Sequence, residues 1–355
     1  MKKLIILLTL VVLFNNATAQ KAVTRYFPAA ATPSNGNENL QALLSAYLQP
    51  IMEDYGSVLN SGWVNTAATH KRFGFDLSIT MNTITAKSSS NYFVPPNTPG
   101  LVFQATTANN DQAPTAYGPT GEYPRFSFTG TPGPGSNAGL QFLGADGASI
   151  SEDIPVGSIM VPTIQGGLGL FASTDIRFRF TPNVTISGTE LGNWGLGIHH
   201  DIKQHFGPLK ELPFSLSVFA GYSQLKATTD LSGVYSGTDQ MGEAKTTSIT
   251  ARLLISKKLA IFTFYGGVGY NSATTNFDIK GTYLVDRGQG IGGSPDVPLV
   301  QTVTLNNPFS QEFKSSGVSF TGGLRLNLGP VTLNGDYSLL NAEGLLTAGF
   351  GFTVR

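Results

Sequence analysis

Between Gly317 and Arg355 apolar residues recur at almost every second position, and the chain reverses twice without losing the period. Val318, Phe320, Leu324, Leu326 and Leu328 alternate with Ser319, Thr321, Arg325 and Asn327. After Gly329-Pro330 the pattern restarts with Val331, Leu333, Tyr337 and Leu339, and again with Leu346, Ala348, Phe350, Phe352 and Val354. A period of two describes a strand with one apolar and one polar face. Three such strands in series, each about ten residues or longer, are what a membrane-spanning β-barrel requires.

The N-terminus reads as an address. Lys2 and Lys3 precede an apolar run from Leu4 to Phe14, and Ala17-Thr18-Ala19 offers a small-residue cleavage site. Residues 1–19 are therefore expected to be a signal peptide, the alternative being an uncleaved helical anchor. No cysteine follows, which argues against lipid anchoring there. No later segment approaches the about 20 apolar residues of a transmembrane helix. Charged residues make up 12% and the net charge is +0, so no basic footprint for nucleic acid exists. With no cysteines, a disulfide scaffold and Cys-ligated metals are excluded. The 42 glycines, with abundant Thr, Ser and Asn, suit tight turns and a polar lumen, and a mean hydropathy of +0.03 is what averaging a lipid face against a luminal face produces.

A different period precedes the strands. Leu40, Leu43, Leu44, Tyr47, Leu48 and Ile51 recur at helical spacing behind Asn37 as N-cap, and Pro50 is expected to kink or end that helix. Such a plug helix either enters the lumen or seals the periplasmic mouth. The first strand runs from Phe73 to Thr85. Residues 86–161 form a long irregular stretch with room for one extra hairpin, and alternation is nearly continuous from Pro162. Pro182 implies a bulge or an edge-like defect. Short connections at 173–174, 256–258 and 329–330 alternate with long ones at 226–243 and 271–313, and bacterial barrels keep short turns in the periplasm and long loops outside. Ten strands are counted, or twelve with the extra hairpin. The competing architecture, a secreted β-sandwich, would have shorter strands and polar outer faces, whereas here aromatics stand at many strand ends (Trp194, Tyr222, Tyr265, Tyr270, Tyr337 and Phe352), as at the two interfaces of a barrel.

The luminal phase holds Arg177, Arg179, Arg252, Arg325 and Arg355 against Asp76 and Asp336. Arginines in a low-dielectric wall suit a carboxylate or phosphate ligand. The alternative is an ion-pair network, including pairs to Glu53 and Asp54 of the N-terminal segment. His199 and His200 are adjacent on a strand and face opposite ways, which opposes a shared metal. Three of the four histidines lie at a periplasmic turn and His70 precedes the first strand, so none is expected on the outer rim beside a serine. No enzyme, metal or cofactor is expected. The long outer loops suit either a partner or simple shielding.

Gly62-Trp63-Val64-Asn65-Thr66-Ala67, His70-Lys71 and Gly74-Phe75-Asp76-Leu77, with Gly195 to Gln204, Leu212-Pro213-Phe214 and Ala220-Gly221-Tyr222, resemble an uncharacterised family of Bacteroidetes-type outer-membrane barrels. More distantly, a luminal segment followed by a barrel resembles FadL-type transporters of hydrophobic compounds, which implies a hatch and fourteen strands. The expectation is thus an all-β transmembrane antiparallel barrel (residues 71–355) of ten to twelve strands, fourteen on the FadL resemblance, in the outer membrane behind an N-terminal segment (20–70). It would be surrounded by outer-membrane lipids and would pass or hold a small hydrophobic or amphipathic molecule. The alternative is a structural barrel whose outer loops bind an envelope protein.

Overall fold

The computed structural model describes residues 22–32, 35–104, 111–130, 137–147, 159–186, 189–285, 302–341 and 343–354. The expected signal peptide and Arg355 lie outside the described residues. Ten antiparallel strands close into a barrel: β1 (Phe75–Thr85), β2 (Ile159–Gly169), β3 (Thr174–Ile186), β4 (Thr189–Asp201), β5 (Ser215–Asp230), β6 (Met241–Leu259), β7 (Phe262–Lys280), β8 (Phe309–Leu328), β9 (Val331–Leu340) and β10 (Glu343–Val354). Each strand pairs with its neighbours in sequence, and β1 closes the ring by pairing with both β2 and β10, as in Phe75 opposite Leu168 and Val354. Closure leaves no sheet edge unpaired. The count is ten, so the FadL resemblance does not extend to strand number, and the extra hairpin in 86–161 does not enter the wall.

The wall has the predicted inside and outside. Phe75, Leu77 and Ile79 of β1, Phe178 and Phe180 of β3, Leu196 and Ile198 of β4, Phe320 and Leu324 of β8 and Phe350 of β10 all face outward and exposed. The intervening Asp76, Ser78, Thr80, Arg177, Arg179 and Thr347 are buried in the lumen. Trp194, Tyr222, Tyr270 and Tyr337 face outward at comparable heights above the turn-side strand ends, as a girdle above an apolar band would. Among the described residues no helix is long and apolar enough to cross a membrane.

Four local expectations need correction. The pairing of β3 with β4 shifts between Thr181 and Val184, which is the bulge at Pro182. Beyond it Asn183 is exposed and bonds Glu190 instead of facing the lumen. Strand β1 starts at Phe75, because Phe73 adopts a left-handed backbone with φ of 65°. Tyr265 is not an interfacial aromatic but a luminal side chain donating to Asp336. Finally, the strands are longer than the apolar alternation suggests. The 20 residues of β8 span about 65 Å of chain, well beyond the ~30 Å hydrocarbon layer even when tilted. Above the band the outward residues need not be apolar, so the alternation fades while pairing continues.

These tall strands carry a cap at the loop end. A three-stranded sheet (Leu101–Gln104, Arg125–Phe128, Gln141–Leu143) and two ribbons (Tyr92–Phe93 with Ala113–Pro114, and Thr282–Val285 with Val303–Asn306) lie outside the barrel sheet. Their buried aromatics enclose a 3-10 helix, Val23–Ala31. Tyr26 meets Phe126 edge-on at 6.1 Å, and Phe27 stacks on Tyr235 at 5.6 Å and meets Tyr283 at 4.9 Å.

Candidate functional site

The site is the barrel lumen, and its occupant is the chain itself. Helix α1 runs from Gly36 to Leu59, 24 residues, behind Asn35, whose side chain makes no capping bond. It is twice as long as the spacing of Leu40 to Ile51 suggested, and it continues through Pro50. Pro50 removes one amide donor, leaving the Ala46 carbonyl without its helical partner. Burial on both sides of that turn outweighs this loss. Leu40, Leu43, Leu44, Tyr47 and Leu48 are buried among the cap aromatics, Ile51 is half-buried, and Val58 and Leu59 pack against Ile84, Leu225 and Leu345 of the wall. Gly56 allows the close approach: a Cβ there would collide with the Cβ of Ala273 on β7.

The helix is held lengthwise. Gln41 donates to the Pro308 carbonyl at 2.8 Å, Thr275 of β7 donates to the Met52 carbonyl at 3.0 Å, and Ser57 meets Ser315 of β8 at 3.2 Å. At its C-terminus the last carbonyls lack amide donors and carry about half a negative charge. Two wall arginines supply what is missing. Arg179 of β3 donates to the carbonyls of Leu59 (2.9 Å) and Ser61 (2.5 Å), and Arg252 of β6 donates to that of Asn60 (2.6 Å). Gln165 bridges the Arg179 Nε and the Gly62 carbonyl at 3.2 and 2.9 Å. The guanidinium of Arg179 also lies 3.8 Å from the centre of the Trp63 ring.

Below this collar the chain descends through a series of bends to the short-turn rim. Arg325 donates to Asn65 at 2.6 Å, and Asn65 donates to Asn334 at 3.1 Å. Ser256 accepts the Ala67 amide at 2.9 Å. At the rim Asp175 accepts both the His70 backbone N–H (2.9 Å) and its ring Nδ1 (2.8 Å), and Arg177 grips both oxygens of Asp76 at 3.1 and 3.0 Å.

The six luminal residues singled out by the sequence are therefore all buried inside the barrel, but they do not converge on one pocket. Arg177 and Asp76 pair with each other. Arg179, Arg252 and Arg325 hold the N-terminal segment through its carbonyls and an amide, not through Glu53 or Asp54. Asp336 is held by Tyr265 at 2.8 Å. Residues the sequence reading passed over are Trp63, Gln165, Asn65 and Asp175. A signal for Trp63 existed in the luminal glycines opposite it. A Cβ at Gly195 or Gly221 would stand 3.1 or 3.0 Å from the indole.

One arrangement invites a catalytic reading. Ser217 Oγ lies 2.7 Å from His199 Nε2, and His199 Nδ1 lies 3.7 Å from Asp175. All three side chains are sealed, with 0% exposure each, and the Asp175 carboxylate is committed to His70. A nucleophile needs an open approach for its substrate, and this serine has none in this arrangement. Its hydroxyl meets His199, which packs beside the carboxylate that holds His70. His200 lies on the opposite face of β4, 3.0 Å from His205.

No curated protein matches the chain. Among solved structures it is similar to the attachment invasion locus protein Ail of Yersinia pestis (13% identity, 51% of this chain and 93% of that one, TM-score 0.24). It is also similar to the translocator domain of the autotransporter NalP of Neisseria meningitidis (10%, 94% and 99%, TM-score 0.31) and to the outer membrane protease OmpT of Escherichia coli (10%, 80% and 99%, TM-score 0.27). Likenesses this low carry no activity across. The decisive match is to a family of unknown function, DUF6588, over residues 1–354, and the chain belongs to that family.

Proposed function

We propose that this protein is an outer-membrane barrel kept closed by its own N-terminal segment, serving as a membrane-anchored platform whose loop-side cap meets another envelope component. The observation that carries this reading is the arginine collar. Arg179 and Arg252 satisfy the end of α1 from the wall, and the cap aromatics bury its beginning, so the segment that would have to leave an open pore is the best-fastened part of the interior. The outward apolar band and its aromatic girdle support placement in a bilayer, and the alternation of short turns with long loops supports the outer membrane. The test is conductance of the purified barrel in a planar bilayer. The platform reading expects a silent wild type and steady steps after deletion of residues 36–59. A wild type that conducts steadily overturns it.

A second reading is gated uptake or holding of a small hydrophobic or amphipathic molecule. Asp54 favours it. This carboxyl is 5% exposed at the loop-side end of the lumen, bonded at 2.6 Å by Tyr117, and burial pushes its pKa up to about 7. A plug carrying a buried group that ionises near neutrality has a built-in means of loosening. This reading expects a stoichiometric lipid or fatty acid to co-purify with the folded barrel, detectable by mass spectrometry.

A further inference from the structure

The luminal segment runs in a single direction, and its wall partners advance steadily along the strands. Gln41 bonds Pro308 just before β8 and Ser57 reaches Ser315 within it. Asn60 bonds Arg252 and Ala67 bonds Ser256, further down β6. His70 ends at Asp175, beside the short turn between β2 and β3. The segment thus enters at the long-loop mouth and leaves at the short-turn rim, where it turns into β1. A helix that only sealed the short-turn mouth would make none of the contacts at Pro308 and Ser315.

The polarity is fixed by charge as well as by connection. The negative end of the α1 dipole meets Arg179 and Arg252, which sit with 2% and 6% exposure in the wall. A helix of the opposite direction would bring its amide end, with its partial positive charge, to the same guanidiniums. Further out, Tyr26 and Phe27 are fully buried among Phe126, Tyr235 and Tyr283 of the loop cap. The cap therefore has the N-terminal segment as part of its core.

We infer that the barrel carries its own N-terminal segment through the membrane, so that Ala22 and the 3-10 helix that follows it stand at the cell surface among the long loops. This rests on the outer-membrane orientation proposed above. It makes the segment before α1 part of the face that a partner meets, and it requires that the segment passes through the lumen during assembly.

The chain has no cysteine, so single cysteines report position directly. Asn37, Ser232 and Lys210 are exposed at the start of α1, in the β5–β6 loop and at the β4–β5 turn. Asn37→Cys, Ser232→Cys and Lys210→Cys are treated in intact cells with a membrane-impermeant maleimide, with and without permeabilisation of the outer membrane. The expected result is labelling of the first two on intact cells and loss of Lys210→Cys labelling unless the membrane is opened. Labelling of Ser232→Cys but not Asn37→Cys on intact cells overturns the inference and leaves the orientation standing. Labelling of Lys210→Cys alone shows the barrel inverted, and labelling of none shows it absent from the surface. Either result removes the orientation and the inference together.

Discussion

Arg179 sits face-on over Trp63 at 3.8 Å while donating to the carbonyls on either side of Asn60, so one side chain of the wall fixes both the end of α1 and the first bulky residue beyond it. Arg252, three strands further round the closed sheet, takes the Asn60 carbonyl between them. Charge-assisted hydrogen bonds of this kind are worth about 1.5–3 kcal/mol each. Arg179→Ala and Arg252→Ala should each lower the melting temperature in detergent and raise the frequency of open events in planar bilayers. The double variant should show coupling, because both residues act on three consecutive carbonyls. Arg179→Lys keeps the charge but loses the fork and should fall nearer to alanine than to wild type. Closed, equally stable variants would show that the collar is not what retains the plug.

Trp63 and Gly221 make a size pair. The indole and the ring of Phe219, 5.2 Å apart, occupy the space above the Gly195 and Gly221 backbones. Gly221→Leu places a branched side chain where a Cβ alone would meet Phe219 at 2.8 Å and Trp63 at 3.0 Å. Overpacking of this kind costs about 1–3 kcal/mol. The loss should be partly restored in Trp63→Ala, where the larger wall residue refills the vacated volume. The comparison is a double-mutant cycle on melting temperature, and additive losses would remove the pairing.

The docking of α1 should weaken as pH rises. Burial raises the Asp54 carboxyl from its ordinary value near 3.8 to about 7, with Glu343 and Glu53 raising it further and the Tyr117 hydroxyl and Lys87 opposing. A raised folded-state pKa means the docked helix binds a proton that the released helix gives up. This stabilising contribution is complete below about pH 4 and is lost as pH climbs through 7, a few kcal/mol at most. Protection of the amides of residues 48–58, taken relative to their intrinsic exchange rate at each pH, should therefore be higher at pH 5 than at pH 8. Asp54→Asn should be equally protected at both, and a variant that keeps the wild-type pH dependence would assign it to another group.

The wall was legible because lipid on one side and packing on the other impose opposite polarities on successive residues, and Phe75 to Thr85 or Val318 to Leu328 carry that contrast directly. The bulge was legible from Pro182 for a local reason, a missing donor. The plug was only half legible. Leu40 to Ile51 show a helix, but Met52 to Leu59 include Glu53, Asp54 and Gly56, which look like an ending until the surrounding wall supplies partners. The arginines were assigned to the right compartment and not to their partners, since a guanidinium aimed at a backbone carbonyl leaves no pattern in the sequence. The direction of threading is likewise a property of the closed barrel and not of any one segment.

The lower fastening turns on Asp175. It accepts the His70 amide and imidazole in a place with 0% exposure, beside His199 at 3.7 Å. Removing the carboxylate leaves a buried N–H and the His70 imidazole short of an acceptor, and breaking a buried charged network by one partner costs about 3–5 kcal/mol. Asp175→Ala should free the chain just above β1, where Lys71 and Arg72 are exposed. Trypsin should then cut after Lys71 or Arg72 well before it cuts wild type. Ser217→Ala removes one hydroxyl from His199 and leaves the His70 contacts in place, so its cleavage should stay close to that of wild type. Equal protection in wild type and Asp175→Ala would mean that His70 is retained by its contacts with Asp76 and Thr353, 3.3 and 3.4 Å away, and that the rim needs no acidic anchor.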